Sequence, residues 1–106
     1  MKRKLTGAIS HDDRVIEELK ADPDYAREYL RAAMEEDPAV MLVALRRVAE
    51  ANGGVAMIAK KTALKRESLY RALSAKGNPT LSTINAVLHA VGMRLSVEQE
   101  RPRRAA

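Results

Sequence analysis

The sequence predicts an all-α domain closed by one short β-strand, and three observations carry that reading. Apolar residues recur at helical spacing in six successive segments. Ser10, Asp22-Pro23 and Asp37-Pro38 supply helix starts, while Asn52-Gly53-Gly54, Gly77-Asn78-Pro79 and Gly92 supply stops. Only "MRLSVE", residues 93–98, changes to a period of two. The 106 residues suffice for one domain with a modest core and not for two. With no Phe and no Trp, that core has to be built from Leu, Val, Ile, Met and Ala.

Taken in order, Ser10 with Asp13 resembles a capping box, and Val15, Ile16 and Leu19 give a thin apolar face, so a first helix is expected over about 10–20. Asp22 caps a second helix with Pro23 at its first position, and Ala26, Tyr29, Leu30, Ala33 and Met34 form one buried stripe. Asp37-Pro38 repeats the signal. Val40, Met41, Ala44, Leu45, Val48 and Ala49 then cover the wide face expected of a central helix. Val55, Ile58, Ala59 and Ala63 mark a short fourth helix, and a turn around Leu64 leads to a fifth with Leu69, Ala72 and Leu73 inward. Leu81, Ile84, Val87, Leu88 and Val91 make the sixth. Met93, Leu95 and Val97 alternate with Arg94, Ser96 and Glu98 as in a half-buried strand. The expected organisation is a basic disordered N-terminus at 1–9, one helical domain at 10–98 and a basic disordered tail at 99–106.

Charge is divided along the chain. From Ala8 to Glu50 six Lys/Arg face eleven Asp/Glu, a net −5, whereas from Gly54 to Gly92 six Lys/Arg face Glu67 alone, a net +5. The basic half suits a polyanion. Absence of cysteine excludes disulfides, thiolate metal sites and cysteine catalysis. The start "MKRKLTGAIS" has no apolar leader segment, and no stretch approaches the ~18 apolar residues of a membrane span. A cytoplasmic location and no membrane partner are therefore expected.

The fourth and fifth helices are too short to stand alone and must pack on neighbours. Small Ala59 and Ala63 permit close approach while Leu69 and Leu73 plug the second helix onto the first. This is the spacing of a helix-turn-helix, over about 55–74. Glu67, Tyr70, Arg71 and Ser74 then share the outward face, with Arg66 and Ser68 at the helix start. Such a helix meets base edges with its N-terminal residues. Arg66 and Arg71 can each bond a guanine bidentately, and Glu67 can accept from cytosine or pair with Arg71. Ser68 can reach a base or phosphate, and Tyr70 the backbone or a thymine methyl. Lys60, Lys61, Lys65 and Lys76 suit phosphates, as do free amides at Gly54 and Val55.

With these residues placed, "GGVAMIAKKTALKRESLYRALSAKGNPTLSTINAVLHAVGMRLSV" resembles the Cro/CI-type (lambda-repressor-like) helix-turn-helix of the addiction-module antidote, or HigA-like antitoxin, family. The upstream "DPDYAREYLRAAMEEDPAVMLVALRRVAEANGG" is similar to that family's N-terminal part. The resemblance runs from about Ser10 to Glu98. It implies a dimeric operator-binding repressor, encoded beside a RelE/HigB-like toxin as its possible partner. One departure stands out: relatives often carry a capping Ser or Asn before the recognition helix where this chain has Lys65, a loss of about 1 kcal/mol of capping.

Homodimerisation also has a physical argument. A lone strand at Met93, Leu95 and Val97 would leave an open edge, which an antiparallel copy of itself would close while spacing two recognition helices. Packing on its own domain and pairing with a toxin strand are the alternatives. His11 and His89 stand far apart without spaced carboxylates, so no metal site is expected. Gly53-Gly54 lacks the following Lys-Ser/Thr of a phosphate loop. No nucleophile–base pair or cofactor loop supports an enzyme, and no catalytic residue or cofactor is expected.

Overall fold

The computed structural model describes residues 10–101, and all regular structure among them is helical. The helices are α1 (His11–Ala21), α2 (Pro23–Ala33), α3 (Pro38–Ala51), α4 (Val55–Thr62), α5 (Arg66–Ala72) and α6 (Leu81–Ala90). The disordered segments expected at 1–9 and beyond 101 lie outside the described residues. Residues 99–101 are exposed and belong to no helix.

Each of the first three helices starts where a side-chain oxygen can accept an otherwise unsatisfied amide. Ser10 Oγ accepts from the Asp13 N–H at 3.0 Å, Asp22 Oδ1 from Asp24 and Tyr25 at 3.1 and 3.2 Å, and Asp37 Oδ1 from Val40 at 3.1 Å. Thr80 does the same for α6, accepting from Thr83 at 3.1 Å. α3 ends at a glycine turn: Asn52 Nδ2 donates to the Val48 carbonyl at 2.8 Å, and the Gly54 N–H reaches back to Ala49 O at 3.0 Å. Gly53 and Gly54 adopt φ of 104° and 94°, a region that disfavours any side chain.

α1, α2 and α3 pack against one another, and α4 packs against α3, α5 and α6, so α3 joins two groups of three helices. The best-buried residues come from both groups: Val48, Ala49, Val55, Ile58, Leu73 and Val87 have no exposed surface. Each large aliphatic side chain fully removed from water contributes about 1.5–3 kcal/mol, and these residues fix α4 and α5 on the body.

Several expectations need correction. Val40, Met34 and Leu81 are exposed, at 43, 39 and 66 %, and Leu42 takes the core position on α3 instead. α3 is apolar nearly all round at its start, so its neighbours α1 and α2 decide which stripe is buried. Ala63 lies outside α4 and is exposed. Met93, Leu95 and Val97 form no strand, because no second strand lies beside them among the described residues. Alternation survives as packing: Met93 and Leu95 are half-buried against the core, with Arg94 and Ser96 exposed. Val97 departs from it at 97 % exposure. The Arg31 guanidinium and Glu98 carboxylate, 2.7 Å apart, tie this extended segment to α2.

Candidate nucleic-acid interface

The connection between α4 and α5 is three residues long, Ala63 to Lys65. Thr62 closes α4 with its hydroxyl, which donates to Ile58 O at 2.8 Å and accepts from the Leu64 N–H at 3.3 Å. Ala63 then turns the chain with φ 63°, a left-handed conformation that costs a non-glycine residue about 1–2 kcal/mol. Leu64 tucks against the core, and Lys65 stands at the cap position of α5 without a side-chain cap hydrogen bond. α5 is held by Leu69 and Leu73, at 1 and 0 % exposure. Beyond it, a Cβ built at Gly77 would overlap the Ala72 carbonyl and stand 2.7 Å from Arg71 O, so the chain can leave α5 this way only through glycine.

Seating Leu69 and Leu73 inward turns the other face out. Arg66, Glu67, Ser68, Tyr70 and Arg71 are all exposed, Tyr70 by 46 %. Ser74 is half-buried, and its hydroxyl is occupied by Arg71 O at 2.9 Å. Lys60 and Lys61 are exposed in the last turn of α4, with Lys65 in the turn and Lys76 after α5 also exposed. Among the described residues none of these lysines and arginines makes an ion pair, and Glu67 does not pair with Arg71. Their charge is therefore uncompensated by neighbouring carboxylates. The Gly54 amide, expected as a phosphate donor, is spent on closing α3. The Val55 side chain is wholly buried, while its backbone amide, the first of α4, belongs to the first-turn donors at that end.

Cations elsewhere behave differently. Arg47 is buried enough to be 20 % exposed, its Nε 2.6 Å from Asp12 and its Nη1 donating to the Tyr29 hydroxyl at 3.0 Å. The Tyr29 and Asp12 contacts hold its guanidinium above the ordinary arginine range, against the opposing effect of burial. This three-helix link was not visible in the sequence, since Asp12 and Arg47 lie 35 positions apart. Thr62 was also missed as a support of the site, its local signal a hydroxyl at a helix C-terminus, whereas Gly77 was expected as part of the stop after α5. Among the described residues no group of three or more His, Asp and Glu gathers as metal ligands would. Among the described residues no helix is long and apolar enough to cross a membrane.

A second feature lies away from this face. An open groove of about 710 Å³ runs between α2 and α3 and reaches Ala75 beyond α5, lined by Tyr25, Ala32, Ala39, Val40 and Val43 among others. The rings of Tyr25 and Tyr29 stand 6.0 Å apart at its edge. Nothing in the sequence reading anticipated it, and exposed Val40, expected in the core, is its clearest signal.

Comparison with known proteins gives this geometry a family. A chain from Haemophilus influenzae, described as an uncharacterized protein, is 38 % identical over 74 residues, covering 69 % of this chain and 75 % of the relative. No solved structure matches. Residues 12–99 match the family model described as "probable addiction module antidote protein". That span takes in α1 from its second residue, the five helices that follow and the extended segment after them, and the chain belongs to the addiction-module antidote family.

Proposed function

We propose that this chain is an autoregulating antitoxin: a homodimeric, sequence-specific DNA-binding repressor that also binds the toxin of its module. The toxin partner follows from the family. The DNA-binding part rests chiefly on one observation: an unpaired cationic face on a helix whose opposite side is locked into the core. In this reading α4, the turn and α5 act as a Cro/CI-type helix-turn-helix. Arg66, Glu67, Ser68, Tyr70 and Arg71 meet base edges in the major groove, and Lys60, Lys61, Lys65 and Lys76 hold phosphates. Residues Met93, Leu95 and Val97 pair with a second copy, forming the ladder that a single chain cannot, and covering exposed Val97. The protein acts in the cytoplasm and has no enzymatic activity of its own.

Binding to the DNA upstream of its own gene, followed at several salt concentrations, tests this. Arg66→Ala and Arg71→Ala should each lose about 1–3 kcal/mol of discrimination for that site. Equal binding by wild type and both variants would sink the assignment of α5. Leu95→Pro should sediment as a monomer, and an intact dimer would remove the strand from the interface.

A second reading makes neutralisation of a RelE/HigB-like ribonuclease toxin the main task, with DNA binding secondary. The acidic first half of the chain favours it, since an enzyme acting on RNA carries a cationic surface to be covered.

A further inference from the structure

We infer that the α2–α3 groove is the docking surface for the toxin, receiving an aliphatic or aromatic side chain presented by a cationic segment of that partner. This rests on the antitoxin reading and adds the surface and the chemistry that recognises it.

The groove floor is apolar and open, with Val40 43 % and Tyr25 39 % exposed to water. Alanines at 32 and 39 leave room for an inserted side chain, which Val43 can contact. Its surroundings are acidic. From Asp22 to Ala44 six carboxylates stand against two arginines, and Glu28 and Glu36 line the groove itself. Both arginines are engaged, Arg27 by Asp24 and Glu28 and Arg31 by Glu98. Arg47 at the groove is likewise held by Asp12 and Tyr29. Among the described residues the cations that line the groove or stand on α2 are thus engaged, whereas a Lys- or Arg-flanked apolar anchor meets opposite charge and an open apolar seat.

A second copy fits less well. Two such grooves face to face would oppose acid to acid. Seating the basic face of α5 in a neighbour's groove would bury the cations needed for DNA and build a head-to-tail contact that need not close.

The test uses the full chain and the purified small protein encoded beside its gene. Ala32 is exposed on α2, so Ala32→Arg can fill the groove and oppose a cationic partner without disturbing the core. The double variant Glu28→Lys/Glu36→Lys reverses the rim while leaving the floor intact. Thermal melting checks that each is folded. Both should bind the neighbouring protein at least tenfold more weakly than wild type, bind upstream DNA as wild type does and keep its sedimentation behaviour. Arg71→Ala should show the converse, with toxin binding unchanged. If wild type binds the neighbour and both groove variants bind it equally tightly, the groove is excluded while the antitoxin reading stands. If wild type does not bind it, the antitoxin reading fails and takes this inference with it. If the groove variants instead lose self-association, the groove joins two copies of this chain.

Discussion

The two halves of the molecule use charge in opposite ways. In α1–α3, Arg27, Arg31 and Arg47 all meet carboxylates, and Arg47 spans three helices through Asp12 and Tyr29. In α4–α6 and their connections the lysines and arginines meet none among the described residues, and what fixes the helices is aliphatic packing around Ile58, Leu69, Leu73 and Val87. Three of the six lysines and arginines on α1–α3 are tied to carboxylates of the protein itself, Arg47 in a partly buried site and Arg27 and Arg31 at the surface. In the second half charge is directed outward, so the surface can be altered with little cost to the fold.

That contrast can be broken at its strongest point first. Leu73→Ala should destabilise the protein by about 2–5 kcal/mol, because a wholly buried side chain leaves a cavity beneath α5. Denaturant unfolding measures it, and a loss under 1 kcal/mol would mean that packing does not hold this half. Arg47→Met keeps the stem but removes two charge-assisted contacts, and a loss of about 1–2 kcal/mol is expected in the same assay, moderated by the partial exposure of Asp12. Lys65→Ser should raise the melting temperature, since an N-cap is worth about 1 kcal/mol, while weakening DNA binding through loss of a phosphate contact. A cap that adds stability and leaves DNA affinity unchanged would place Lys65 off the interface. Arg71→Ala should leave stability within about 0.5 kcal/mol of wild type, as expected of an exposed, unpaired residue. A larger loss would show that its charge is structural after all.

The features legible in the sequence are the local ones. Ser10, Asp22 and Asp37 cap their helices as expected, because a cap is decided by residues within three positions of one another. The inward pair Leu69 and Leu73 follows from the helical repeat, and the exposed set on α5 follows from that pair. Choices made by tertiary neighbours were not legible. Val40 and Leu42 are both apolar on α3, and only the placement of α1 and α2 buries one and exposes the other. The Asp12–Arg47 and Arg31–Glu98 contacts join residues 35 and 67 positions apart, beyond the reach of any periodicity. The alternation at 93–98 correctly marks which side chains turn inward as far as Leu95, yet a ladder needs a second strand, which no single sequence segment supplies.

Ala63 has a consequence for how accurately α5 points. Glycine would relieve the left-handed turn at this position, but it would also let the backbone visit mirror-image conformations that a methyl group forbids. The alanine acts as a rotational stop. It narrows the angular spread of the seven-residue helix beyond it, so that under the proposed DNA-binding reading Arg71, near the far end, keeps one bearing.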